Sequence, residues 1–194
     1  MEEGGLAAGK STAAACNGWI VFEDEAGQSL TPPRARAWGR IGQTPVVRVR
    51  GRGSGRVSMV GMTCYKAGER SRLIYAVREY RGRKNQPKGF RSRDFRDLLV
   101  RSCWSGTTSA FTSPQTCASS SWPTPTGSRW LPAYAPDLNP QEGVWSLVKH
   151  DLGNLAAADL GQITRTVKRK LKMLQYRPQL LDGCLTGTGL ALDA

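Results

Sequence analysis

The sequence predicts a mixed α/β domain, an antiparallel meander of strands followed by helices. Two observations carry this prediction. Short apolar and period-2 runs fill the first half of the chain, and helical apolar stripes fill the last third, with no internal repeat. At 194 residues the chain suits one domain with a core of useful size.

Residues 1–17 are small and polar and are expected to be loose. "GWIVFEDEAG" is an apolar run closing on three acids and a glycine, expected as a buried strand that ends there. "TPPRARAWGRIGQTP" is turn-rich. "VVRVRG" alternates Val47 and Val49 with Arg48 and Arg50, the period of a half-buried strand, and "GRGSGR" is a loop. "RVSMVGMTCYKAGERSRLIYAVREY" reads as two strands joined by a turn at Lys66–Glu69, with Gly68 supplying the unusual backbone angles. Asp94, Phe95, Leu98 and Leu99 suit the start of a short helix. "RWLPAYAP" is a strand or extended arm. In "DLNPQEGVWSLVKHDLGNL" Asn139 can cap a helix, Pro140 fits its first position, and Val144, Leu147 and Val148 give it a face. Residues 159–175 place Leu160, Ile163, Val167, Leu171 and Leu174 along one side of a second helix.

Charge narrows the function classes. Lys and Arg number 28 against 15 acids, a formal net charge of +13 and a pI near 10.1. A single-sign field of this kind favours polyanions, nucleic acid first. The basic residues cluster: Arg48, Arg50, Arg52 and Arg56 in an acid-free stretch, then "RGRKNQPKGFRSR", then Lys168, Arg169 and Lys172 on the second predicted helix. Arginine's planar, multi-donor head suits phosphate. Five cysteines, an odd count without a CxxC pair, argue against a disulfide scaffold or a zinc site and fit a reduced, cytoplasmic compartment. No apolar run approaches membrane-spanning length, and the N-terminus lacks a signal peptide's apolar core.

Gly4 to Ser11 satisfies the phosphate-loop expression G-x-x-x-x-G-K-[ST], but only three residues precede it, too few for the strand that chemistry requires. Better candidates are acids at the ends of core elements. Asp24 stands at the mouth of an apolar strand and Glu142 in the first turn of a helix. Two such carboxylates could share hard divalent cations and serve phosphodiester chemistry. The plainer alternatives are a solvated loop acid at Asp24 and a capping box of Asn139 with Glu142.

"LPAYAPDLNPQEGVWSLVK" resembles the closing motif of the DDE transposases of bacterial insertion sequences related to the mariner superfamily. There the last catalytic acid comes two positions after P-D-L-N-P, which falls on Glu142. "WIVFEDEAG" resembles the opening motif, whose acid maps to Asp24, and "AWGRIGQTPVV" and "GRVSMVGMTCY" resemble the region downstream of that motif. The resemblance spans about residues 19–100 and 131–190 and implies several things. The fold would be a ribonuclease-H-like catalytic domain over residues 18–190, with two Mg²⁺ (or Mn²⁺) ions held by Asp24 and Glu142. The partner would be double-stranded DNA at transposon ends and target, and intact members would pair as homodimers. The helix-turn-helix modules usual upstream in the family are expected to be absent from this chain. The runner-up reading is a non-enzymatic, basic DNA-binding remnant, and a third is a ribonuclease sharing the core fold, disfavoured by "APDLNPQEGVW".

One part of the family pattern is missing. Its second acid, in a strand ending Trp-Asp-Asn, belongs about 35 residues before Glu142. That position lies in residues 101–130, which hold 14 Ser and Thr and no acid, Ile, Leu, Val or Met. Joining each codon's third base to the next codon's first two lets "CWSGTTSAF" encode Leu-Val-Trp-Asp-Asn-x-x-x-His, with the Asp codon straddling Gly106 and Thr107. The expectation is a gene with two compensating frameshifts, a disrupted segment at 101–130, and a product that does not transpose.

Overall fold

A computed structural model describes residues 18–31, 38–46, 55–103, 109–112, 136–153, 155 and 159–190. Strands β1 (Trp19–Ser29), β2 (Arg56–Tyr65), β3 (Arg72–Tyr80) and β4 (Ser109–Thr112) form one sheet in the order β3-β2-β1-β4. The first three are antiparallel neighbours and β4 runs parallel to β1. The helices are α1 (Ser92–Cys103), α2 (Pro140–Leu152), α3 (Leu160–Gln175) and α4 (Pro178–Gly187), with a 3-10 turn at Pro136–Leu138 before α2. No helix among the described residues is long and apolar enough to cross a membrane.

Strand alternation sorts the sheet into two faces. Phe22, Ala26, Val57, Met59, Tyr65 and Leu73 point to one side and pack against Val144, Val148, Val167, Leu171, Leu174 and Leu181 of α2, α3 and α4. Trp19, Val21, Met62 and Cys64 point to the other, with Ile74 of β3 and against Leu98 of α1. β2 is therefore covered on both faces and reads as a near-continuous apolar run rather than an alternating one. Its turn to β3 falls at Lys66–Glu69 as expected: the Glu69 amide donates to the Lys66 carbonyl at 3.1 Å, and Gly68 takes a φ of 73°.

Three expectations change. β1 does not stop at its acids but continues to Ser29, because β2 pairs with it all the way from Ile20↔Tyr65 to Ser29↔Arg56. Asp24 is thus mid-strand. What ends near the acids is the parallel pairing with β4, which reaches from Trp19↔Ser109 to Phe22↔Thr112. The segment 101–130 is not devoid of regular structure: α1 runs on to Cys103, and β4 lies within it. Finally, α4 is not among the elements the sequence predicts, although Pro178 at its first turn and the buried Leu181 and Leu185 one turn apart are ordinary helix signals. The strand expected around Val47 and Val49, the extended arm before Pro136 and the 1–17 segment lie outside the described residues.

Candidate active site

Helix α2 positions the site. Asn139 is its N-cap, accepting from the Gln141 amide at 3.1 Å, while its side-chain amide donates to the Glu23 carbonyl of β1 at 3.4 Å. Cap and strand are thereby tied beside Asp24. Pro140 comes next, at the first helical position, where its missing N–H costs nothing.

One turn apart, Gln141 and Trp145 are both fully buried over Gly61 of β2, the residue that pairs with Asp24. A β-carbon at Gly61 would run into the Gln141 amide nitrogen and stand 2.9 Å from Trp145 Cη2. The glycine lets α2 come close enough for the Trp145 indole to donate to Asp24 Oδ2 at 2.9 Å. Among the described residues, neither the side-chain Nε2 nor the Oε1 of Gln141 has a hydrogen-bond partner.

Glu142, one turn before Trp145 on the same helix face, brings the second carboxylate to Asp24. The Asp24 carboxyl is raised from 3.8 to about 6, by burial first and then by the charge of Glu142; the Glu25 amide and the Trp145 indole pull the other way. The capping-box alternative does not close. The Asn139 amide donates to the Pro136 carbonyl at 3.0 Å, and Glu142 has its electrostatic partner in Asp24. Nor is Asp24 a solvated loop acid. Of the flanking acids, Glu25 lies on the α1 side, where its carboxylate accepts from the Phe90 amide at 3.4 Å.

Two adjacent carboxylates, one of them already under a like-charge penalty, are the hard oxygen donors a Mg²⁺ ion takes, and a cation between them would relieve the repulsion. The pair fits such an ion on that ground. Among the described residues, no group of three His, Cys, Asp or Glu side chains could hold a metal ion. The position matching the missing acid, Gly106–Thr107, lies outside the described residues.

The predicted nucleic-acid contacts fall in separate places. Lys168, Arg169 and Lys172 are exposed on α3 and, with Tyr75, Ala76 and Val77 of β3, line an open groove of about 650 Å³. Arg56 opens β2 with its guanidinium folded across Gly27 of β1. Arg48, Arg50 and Arg52 lie outside the described residues. Sequence reasoning missed Trp145, Gln141 and Gly61. Trp145 had a usable signal, since a residue three after Glu142 on a helix must share its face.

No protein-family model matches the chain, and no curated protein matches it either. Among solved structures it is similar to three complexes of the Mos1 mariner transposase. The paired-end complex with Mn gives 15% identity and a TM-score of 0.47, over 90% of this chain and 56% of that one. A pre-cleavage transpososome gives 14% and 0.49, over 100% and 65%. The strand transfer complex gives 14% and 0.46, over 100% and 64%. The chain thus spans less than two thirds of the length of each of these neighbours.

Proposed function

We propose that this chain is the catalytic portion of a DDE transposase of the mariner-related insertion-sequence group, in a copy that does not cleave DNA. The observation that carries the reading is the meeting of Asp24 and Glu142, residues from opposite ends of the sequence that the two motifs single out independently. The strand order, with β1 central and β4 parallel beside it, supports a ribonuclease-H-like core. Asp24 and Glu142 would hold the divalent ions, Mg²⁺ or Mn²⁺, which when bound supply Lewis-acid activation of an attacking hydroxyl and of the leaving oxygen. Trp145 fixes the Asp24 Oδ2 oxygen. The wider basic surface, including Arg48, Arg50, Arg52 and Arg56, would neutralise duplex phosphates.

Inactivity comes from the ligand count. Without the third carboxylate the site lacks one donor of the family set, and the gene carries two compensating frameshifts across residues 101–130. The test is a pair of proteins: the present chain, and one whose 101–130 segment is recoded in the shifted frame. Incubated with Mg²⁺ and the flanking transposon-end duplex, the recoded protein is expected to nick and the present chain is not. Cleavage by the present chain would overturn the inactivity, and a genomic sequence that does not spell Trp-Asp-Asn in that frame would overturn the frameshift.

A further inference from the structure

The groove between β3 and α3 is a separate feature from the carboxylate pair. Among the described residues, β3 is one of the two edge strands of the sheet. Tyr75 lies in the same cross-strand row as Gly61 and Asp24, pointing to the helix face. Two strand spacings separate it from Asp24, roughly 10 Å, and Gln141 and Trp145 stand over the glycine between them. The groove is lined by Tyr75, Ala76 and Val77 of β3, of which Tyr75 and Val77 also pack in part against the core, and by Lys168, Arg169 and Lys172 of α3. Nearby cations differ in their engagement. Lys170 is bound to Asp151 at 2.8 Å and Lys168 lies in the field of Glu79, but Arg169 and Lys172 have no ion pair among the described residues. Tyr176, the C-cap of α3, is 67% exposed and lies near enough to Tyr75 to act on it electrostatically, and Arg70 donates to the Tyr176 carbonyl at 3.2 Å.

From this combination we infer that the β3–α3 groove binds single-stranded nucleic acid, with bases laid on Tyr75 and phosphates met by Arg169 and Lys172. A positively charged trough with aromatic faces is the arrangement that takes a lone strand without reading its sequence. A duplex hides its base faces and would leave the ring unused. The assignment does not depend on the metal-site reading.

The test uses the full chain and fluorescence anisotropy with two labelled probes, an oligo-dT and a blunt mixed-sequence duplex of equal length, across a salt series. Tyr75→Ala is expected to weaken oligo-dT binding about 5- to 150-fold, the range for losing one base stack. Tyr75→Phe keeps the ring and is expected to keep the affinity. Arg169→Gln with Lys172→Gln, both exposed positions, is expected to lower the log–log salt slope on oligo-dT by about 1.4. Duplex binding should change little in Tyr75→Ala. All binding is measured in chelator without divalent ions, which separates failure here from failure of the catalytic reading. Equal losses on both probes, or no loss in Tyr75→Ala, overturn the proposal. So does displacement of oligo-dT by poly-glutamate at matched charge, which would assign the groove to an acidic protein. If Tyr75→Ala melts early, the double charge variant decides: the single-strand assignment requires a larger loss on oligo-dT than on duplex.

Discussion

Replacing Asp24 by Asn should stabilise the protein at neutral pH and not at acid pH. Asn keeps the shape of Asp and an oxygen for the Trp145 indole, so the substitution removes mainly the charge. In the folded protein Asp24 holds its proton up to about 6, against 3.8 when free of burial and Glu142. Between those values the folded state carries more protons than the unfolded one, so stability falls as pH rises through the window. The favourable contribution of the protonated group is fully present below 3.8 and is lost once pH passes about 6. At about 1.36 kcal/mol for each pKa unit the gap gives a ceiling of about 3 kcal/mol. Asp24 is only half-buried, and solvent screening reduces this to about 1–2 kcal/mol. Urea unfolding followed by tryptophan fluorescence, in chelator without divalent ions, reads the difference directly. Asp24→Asn should match the parent near pH 4 and exceed it by about 1–2 kcal/mol near pH 8. A difference that does not vary with pH, or a less stable variant near pH 8, would refute the electrostatic account of the pair.

Three further outcomes are expected from the same geometry. Trp145→Phe removes the indole donor, costing about 1–3 kcal/mol, and should move the Asp24 titration above about 6; ¹³C carboxyl NMR would show it, and an unchanged or lower midpoint would contradict the hydrogen bond's role. Gly61→Ala forces Trp145 and Gln141 off the strand and should cost about 1–3 kcal/mol in chemical denaturation, with a red-shifted tryptophan emission as the ring loses its packing. Millimolar Mg²⁺ should raise the melting temperature near pH 8 and lose that effect well below pH 6, where Asp24 holds a proton instead; a pH-independent rise would place the ion elsewhere.

Legible in the sequence was whatever rests on local pattern. The hairpin at Gly68, the cap at Asn139 with Pro140, and the apolar stripe from Ile163 to Leu174 each declare themselves within one or two turns of chain. The extent of β1 could not be read that way. Glu23, Asp24 and Glu25 look like a terminus by composition, but pairing with β2 carries the strand past them, and that partner lies more than thirty residues downstream. The roles of Gly61 and Trp145 were hidden for the same reason. A glycine in an apolar strand is uninformative until α2 is seen lying on it, and a helical tryptophan reads as core until its ring nitrogen is found on Asp24.

The contacts that hold the carboxylate pair lie apart from residues 101–130, and this bears on what the recoded segment of the proposed test would add. Asn139 reaches the Glu23 carbonyl, Gln141 and Trp145 rest on Gly61, and Trp145 and Glu142 meet Asp24, so α2 makes these contacts with β1 and β2 alone. None of them uses a residue between 101 and 130. The β1–β2 register and the helix cap that hold the carboxylate pair lie outside that stretch, whose contact with β1 is the β4 pairing from Trp19 to Phe22. Under the proposed function, a segment recoded in the shifted frame would therefore add a ligand to a carboxylate pair that is already assembled. That is why, under the proposed function, recoding residues 101–130 alone, with nothing altered on α2 or β1, is the change expected to confer cleavage.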